Sequence, residues 1–378
     1  MTEDMNLVAS ITSNVSTNNV SMLENFNFEA LIKEALRNAL RERGYVNILI
    51  AGRTGVGKST LINAIFQGNM ANTGQGRPVT QNTREIKKDG IPLSIFDTRG
   101  LEMADFSTTM NALRSFIGER ARDVDPKKHI HLAWVCIAED LRRVEPAEEE
   151  LVKMLADYMP VIVVITKARS DRGFRATVQQ LLPLAQNVIR TQAIQEELDD
   201  GHIVHPIGLK ELVDLTMQLV PEGQKQAFSA AQKVDINLKK NLSHKIVAGA
   251  AASAAGIGAA PIPLSDAIAI VPIQIGMIAA ISATFGLAFN VSFLSSIVAS
   301  VVTGAGATLA GRAIVTGLLK LFPGVGSVVG GTIAAATAAA LTTAFGEAYI
   351  ATLALLFVSN NGEPPTPEQV MAAFKKQY

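Results

Sequence analysis

A chain of 378 residues exceeds what a single hydrophobic core usually organises, so two domains are expected. Lys plus Arg and Asp plus Glu each total 34, leaving no net charge and no bulk basic character to point to nucleic acid, and the single cysteine, Cys136, excludes an internal disulfide framework. Hydrophobic residues reach 48% with only 18% charged, an apolar excess for a soluble protein that must be concentrated somewhere along the chain.

Residues 1–26 are Ser/Asn/Thr-rich and read as a disordered polar tail; Glu3 and Asp4 stand where a secretory signal would be basic, so no export is expected. Residues 27–44 read as a lead-in amphipathic helix with Phe28, Leu31, Ile32, Ala35, Leu36 and Leu40 on one face. From 45 to 222, short Val/Ile-rich runs alternate with helical patterns, the mark of an α/β domain with a mostly parallel sheet. Strands are predicted at Val46–Ala51, Pro92–Phe96, Leu132–Ala138 and Val161–Thr166, with a weaker one at His202–Pro206. Pro146 before Glu148, Glu149 and Glu150 marks a helix start.

Between the first strand and a helix predicted from Ser59 to Phe66 lies Gly52-Arg53-Thr54-Gly55-Val56-Gly57-Lys58-Ser59, followed by Thr60. This is G-x-x-x-x-G-K-[ST] in the strand–loop–helix setting that gives the motif meaning. Its glycines let successive N–H groups turn toward phosphate oxygens at a helix N-terminus, Lys58 reaches the outer phosphates, and Ser59 offers a hard oxygen to Mg²⁺. Asp97-Thr98-Arg99-Gly100 follows the second predicted strand. It supplies a carboxylate for the metal through water and a glycine able to meet a γ-phosphate. The polar segment Gln67–Arg84 between them reads as a loop ordered by the γ-phosphate. Thr80, preferred over Thr83, is its expected metal-binding threonine, because Thr83 leaves little chain for the strand before Asp97.

In GRTGVGKSTLINAI, VTQNTRE and DGIPLSIFDTRGLE the chain resembles the Era and tRNA-modification branch of the translation-factor-like GTPases over roughly 45–220. The resemblance implies GTP and Mg²⁺ as ligands, hydrolysis to GDP, and a base-reading NKxD or TKxD motif. The matching segment is Thr166-Lys167-Ala168-Arg169, where arginine holds the position of the guanine-reading acid; Asp171 is the nearby substitute. The last base-contacting loop is expected at Ile207-Gly208-Leu209. Leu101 replaces the water-orienting glutamine of Ras-like proteins, which implies slow hydrolysis assisted by another group, a potassium ion, a partner or a second protomer, so that a homodimer is possible.

The apolar excess lies in 223–360, an all-α expectation: from Ile246 to Gly346 the only charged residues are Asp266, Arg312 and Lys320. Breaks are expected at Pro261, Pro263, Pro323 and Gly324, and a short helix at 361–378 starts with Thr366, Pro367 and Gln369 as cap, first-turn proline and capping-box partner. Roughly Lys239–Leu356 is similar to a hydrophobic domain of unknown function that is fused to Era-like GTPases and present in YcjF-type membrane proteins. The uncharged stretch Ala267–Gly311 is long enough for two membrane helices, Gly326 and Gly330 have GxxxG spacing, and Lys233, Lys239, Lys240 and Lys245 precede it as for an anionic surface. The missing Trp/Tyr belt argues instead for a buried Ala-rich bundle.

The expected function is a nucleotide-gated GTPase switch, its catalytic set Lys58, Thr80, Asp97 and Gly100, working from the inner, cytoplasmic face of a membrane. An ATPase and a scaffold or membrane-assembly protein with a vestigial site are the rivals, and nucleic acid is an unlikely partner for want of a basic or aromatic module.

Overall fold

The computed structural model describes residues 28–72, 77–80, 83–98, 106–258, 266–297 and 331–377. The expected polar tail, Gly100, Leu101, Arg312, Lys320, Gly326, Gly330 and the breaks at Pro261, Pro263, Pro323 and Gly324 lie outside these residues.

Three strands of the sheet core have apolar side chains on alternating sides. In β1 (Val46–Ala51), Ile48 and Ile50 join one apolar layer while Leu49 and Ala51 join the other. Burial on both faces explains why β1, β5 (Leu132–Ala138) and β6 (Val161–Thr166) read as near-continuous apolar runs, with Asn47 the one polar residue inside β1. The remaining strands of the main sheet are β2 (Arg77–Thr80), β3 (Thr83–Lys87), β4 (Leu93–Thr98) and β7 (Asn187–Arg190), in the order β2-β3-β4-β1-β5-β6-β7. Pairing is parallel from β4 through β1, β5 and β6 to β7, and antiparallel where β2 and β3 turn back on β4.

Three expectations change here. The segment Gln67–Arg84 is not wholly loop: a 3-10 stretch (Gln67–Asn72) leads into β2, and β3 starts at Thr83. The strand before Asp97 runs on through Thr98, so that Asp97 lies within β4. The last strand of the main sheet is β7, whereas the strand expected at His202–Pro206 is only β9 (Ile203–Val204), paired apart from the sheet with β8 (Glu196–Glu197).

Helices cover both faces. α1 (Phe28–Arg43) precedes β1, α2 (Lys58–Ile65) follows the glycine loop, and α3 (Phe106–Ala121), α4 (Pro146–Ala156), α5 (Phe174–Leu181) and α6 (Leu209–Leu219) complete the α/β part. Trp134 stacks on Phe66 with ring centroids 5.6 Å apart, and its indole N–H donates to Thr216 Oγ1 at 3.2 Å, so its burial leaves no polar atom unpaired. Each such large apolar side chain contributes roughly 1.5–3 kcal/mol by leaving water.

The rest is helical: α7 (Glu222–Ala231), α8 (Ile236–Gly258), α9 (Asp266–Phe285), a short helical segment over 291–297, α10 (Gly331–Ser359) and α11 (Pro367–Gln377). α11 opens with the anticipated reciprocal cap: Gln369 N–H donates to Thr366 Oγ1 at 3.3 Å, and the Thr366 N–H donates to Gln369 Oε1 at 2.9 Å. The apolar face of α1 packs into this helical core, where Ile32 and Ala39 join Val247, Ile278, Tyr349 and Leu353.

The stretch Ala267–Gly311 does not form two long helices among the described residues. Within it α9 ends at Phe285, the chain turns through Gly286 and 291–297 is helical, while 298–311 lie outside the described residues. Ile275, Ile278, Ile281 and Phe285 of α9 are buried inside the protein. Among the described residues one helix is long and apolar enough to cross a membrane, Ala336–Ser359 within α10, and 39% of its apolar window is buried. Lys239, expected to face a lipid surface, is instead fully buried. Its ammonium donates to the carbonyls of Ser229 (2.5 Å) and Ala230 (3.1 Å) and lies 5.0 Å above the Phe357 ring, and burial drives its pKa well below the ordinary lysine value.

Candidate functional site

The glycine loop leaves β1 at the carboxyl edge of the sheet, where ligands of open α/β sheets collect. Gly52 has φ +143, and a Cβ there would lie 2.4 Å from the carbonyl oxygen of Cys136, so the loop passes too close to β5 for any side chain. Gly57, with φ +94, caps α2 in the left-handed region, which sets the helix N-terminus directly behind the loop. Lys58 is buried and folds back over the loop, donating to the carbonyls of Gly52 at 2.7 Å and Arg53 at 2.9 Å. Thr54, Gly55, Ser59 and Thr60 are exposed, whereas Val56 is packed in the core. Arg53 is held to α4 through Glu145, 3.4 Å away, and Arg143 reaches the same carboxylate oxygen at 2.6 Å. The Cys136 thiol beneath the loop is fully buried, which pushes its pKa up to about 12, and it acts as a core residue.

Asp97 lies beside Ile50 in the β4–β1 register, two residues before Gly52, and its side chain is almost wholly buried. Arg84 of β3 approaches it at 3.8 Å. The structure therefore brings an acidic oxygen, the glycine loop and the exposed Ser59 hydroxyl to one end of the sheet, the hard-oxygen donor set that suits Mg²⁺. Thr83 pairs with Thr98 and is buried, while Thr80 ends β2 opposite Thr83 at the hairpin. The reason given by sequence for preferring Thr80 is corrected: the chain from Thr83 has room for β3, a turn and β4.

Thr166, at the end of β6, uses its hydroxyl inside the protein: it donates to the Val56 carbonyl at 2.5 Å and lies 3.3 Å from that of Ile137, tying the sheet edge to the glycine loop. Lys167 follows with φ +54 and reaches Asp140 at 3.7 Å. Three loops meet here, those after β5, β6 and β7. Ala168 N–H donates to the Thr191 carbonyl at 3.1 Å, so the segment next to the Thr166–Arg169 loop is the one starting at Thr191. Ile207-Gly208-Leu209 instead joins a bridge to Gln192 and the start of α6, which corrects the expected position of the last loop; β7 escaped detection because only Val188 and Ile189 are apolar in it.

Sequence reasoning also missed Glu139. Its side chain is 3% exposed; Oε1 accepts from Arg190 Nε at 2.6 Å, and Oε2 accepts from the N–H groups of Arg169 (2.6 Å) and Ser170 (2.8 Å). Burial works to raise its pKa, but Arg190 and the two N–H groups prevail and hold it below the ordinary carboxylate value. No short-range pattern marks it, because its partners lie 30 to 51 residues away. Asp171 does not stand in open solution: its Oδ1 accepts the Arg175 N–H at 2.8 Å at the head of α5 and lies 3.7 Å from Arg190.

Residues 47–167 match the family model described as 50S ribosome-binding GTPase, and residues 223–377 match a domain of unknown function. The tRNA modification GTPase MnmE of Bordetella parapertussis is 29% identical over 178 residues, 45% of this chain and 36% of that protein. Magnetosome membrane protein 22 of Magnetospirillum gryphiswaldense is 37% identical over 90 residues, 24% of this chain and 46% of that protein. The chain thus spans less than half of either relative's length. Among solved structures, a probable GTP-binding protein engB aligns over 46% of this chain and 98% of its own, at 18% identity and a TM-score of 0.33.

Proposed function

From a P-loop GTPase domain fused to a domain of unknown function, we propose that the protein is a GTP-binding switch that hydrolyses GTP slowly with Mg²⁺ and passes the nucleotide state to its helical domain, which works at a membrane. The observation that carries this reading is the register of Asp97 beside Ile50, which places a buried carboxylate next to the loop that Gly52 and Gly57 shape for phosphate.

In this reading the N–H groups of residues 52–60 and the N-terminus of α2 cradle the phosphates, and Lys58 exchanges its two carbonyl partners for phosphate oxygens. Ser59, Thr80 and Asp97 would hold the metal, and Gly100 would meet the γ-phosphate. Bound Mg²⁺ supplies neutralisation of the charge that builds on the phosphate oxygens. Lys58 adds to that in a fixed position, so little reorganisation is needed as the bond breaks. Lys167 and the loop from Thr191 flank the base, while Thr166 steadies the loop from below.

Support for coupling comes from the seam between the two parts. The N–H of Lys233 donates to the Ile65 carbonyl at the end of α2 (2.8 Å), and Gln67 Nε2 donates to the Ala230 carbonyl at 2.8 Å, directly before the segment that carries Thr80. Support for a membrane comes from the apolar helix Ala336–Ser359, with Leu355 and Val358 each 64% exposed, and from the similarity to a magnetosome membrane protein. The site sits in the cytoplasm in this account.

Single-turnover assays with GTP and Mg²⁺ test the chemistry. Slow hydrolysis is expected that disappears in Lys58→Ala and whose rate per protomer rises with protein concentration if a second copy assists; hydrolysis that persists in Lys58→Ala would refute the assignment.

A further inference from the structure

Arg169 occupies the position where the resembled motif has its base-reading acid, yet a carboxylate has not vanished from that place. The Arg169 guanidinium is paired with Glu196 on the β8–β9 hairpin, and Gln192 Nε2 donates to the other oxygen of Glu196 at 3.4 Å. Arg169 of this pair lines a cavity of about 160 Å³ with Glu139, Asp140, Arg142, Lys167 and Ser170, between the loops after β5 and β6.

We propose that Glu196 is the specificity residue for the base, a carboxylate supplied from the hairpin and positioned by Arg169. The proposal rests on the GTPase reading above and names what that reading leaves open, the group that selects guanine. A carboxylate has only acceptors, and guanine offers it two adjacent donors, the ring N1–H and the exocyclic amine; adenine offers no such pair on that edge. Arg169 fixes Glu196 from one side with a charge-assisted bond and leaves carboxylate lone pairs for a ligand.

The other acids of the cluster are committed elsewhere. Both oxygens of Glu139 are filled by Arg190 and the Arg169 and Ser170 N–H groups. Asp171 caps α5, and Arg142 grips the backbone carbonyls of Ser170 and Asp171, which holds that turn in its present course. Asp140 lines the cavity and is paired with Lys167 at 3.7 Å. Glu196 is half-exposed, held by the exposed Arg169 on one oxygen and by the buried Gln192 on the other.

The test compares GTP, ATP and XTP binding to the full-length wild type and to Glu196→Gln, Glu196→Ala, Arg169→Ala and Asp171→Asn. Glutamine presents one acceptor and one donor, which matches xanthine's N1–H and C2 carbonyl. Glu196→Gln is therefore expected to lose about tenfold or more in GTP affinity and to gain a similar factor for XTP. Glu196→Ala and Arg169→Ala should weaken GTP binding with no gain for XTP; an XTP gain confined to Glu196→Gln is a split that mere loss of folding does not produce. Glu196→Gln that keeps the wild-type GTP-to-XTP ratio overturns the proposal, as does an XTP gain found in Asp171→Asn alone. A wild type that binds GTP and ATP equally overturns the GTPase reading itself, and the proposal with it.

Discussion

The backbone N–H of Gly68, two residues after the bridge at Phe66, donates to the Glu363 carboxylate at 3.0 and 3.2 Å. Glu363 comes from the far end of the chain, just before α11, and Lys233 completes the contact at 3.2 Å. The stem of the segment that carries Thr80 is thereby fastened to the helical domain by a charge-assisted bond.

Glu363→Ala should loosen that fastening. The half-exposed carboxylate makes the loss modest, about 1 kcal/mol of unfolding free energy by urea titration. The larger expected effect is on coupling: limited proteolysis of the helical domain should differ between GDP and a non-hydrolysable GTP analogue in the wild type and be alike in the variant. Equal sensitivity in the wild type would refute the coupling.

Gly52→Ala forces a Cβ to within 2.4 Å of the Cys136 carbonyl at φ +143. A cost of about 2 kcal/mol or more is expected, with loss of nucleotide binding, because the loop must move away from β5. Thermal melts with and without GTP and Mg²⁺ check both parts; a variant as stable and as nucleotide-responsive as the wild type contradicts the loop geometry.

His131 gives a pH prediction. Its Nδ1 accepts the N–H of Asn47 in β1 at 3.0 Å, which leaves the proton on Nε2, facing the Pro126 carbonyl at 3.0 Å. Burial lowers its pKa in the fold, with the nearby His129 adding to that. The unfolded chain, near 6.5, then binds the proton more readily than the native one, so stability from this site is complete above about pH 6.5 and declines as pH falls toward the lowered native value. Urea midpoints of the wild type should drop more between pH 7.5 and 5 than those of His131→Gln; parallel curves would contradict this assignment.

Membrane association through α10 predicts that the protein floats with liposomes and that Leu355→Glu with Val358→Glu, both on exposed positions, abolishes this while leaving the thermal midpoint within a few degrees. Flotation unchanged in the double variant would sink the role of this helix.

The parts of the fold legible in the sequence are those where local chemistry and tertiary burial agree. β1, β5 and β6 are apolar on both faces and are delimited residue for residue, and Pro146 with its acidic run and the capping pair at Thr366 announce their helices. β3 and β7 lie toward the two margins of the sheet and are short and half polar or more, with Ile86, Val188 and Ile189 as their only apolar residues. Lys239 misled for a related reason: a lysine before an apolar run signals a surface only if its helix turns it outward, and α8 turns it in. At the site, the glycine loop and Asp97 carry their chemistry in contiguous residues, whereas Glu139 and Glu196 reach the Arg169 turn from other loops, 30 and 27 positions away. Local spacing holds no trace of such pairs.

The proposed switch depends on the loop from Gly52 to Ser59 binding GTP with Mg²⁺. Calorimetric titration of GTP into the full-length protein, in Mg²⁺ and then in excess chelator, addresses it most directly. The account predicts saturable binding that ATP does not compete away, that weakens on chelation, and that falls about a hundredfold or more in Lys58→Ala. Binding of equal strength in wild type and Lys58→Ala, or no binding of GTP to the wild type, would contradict it.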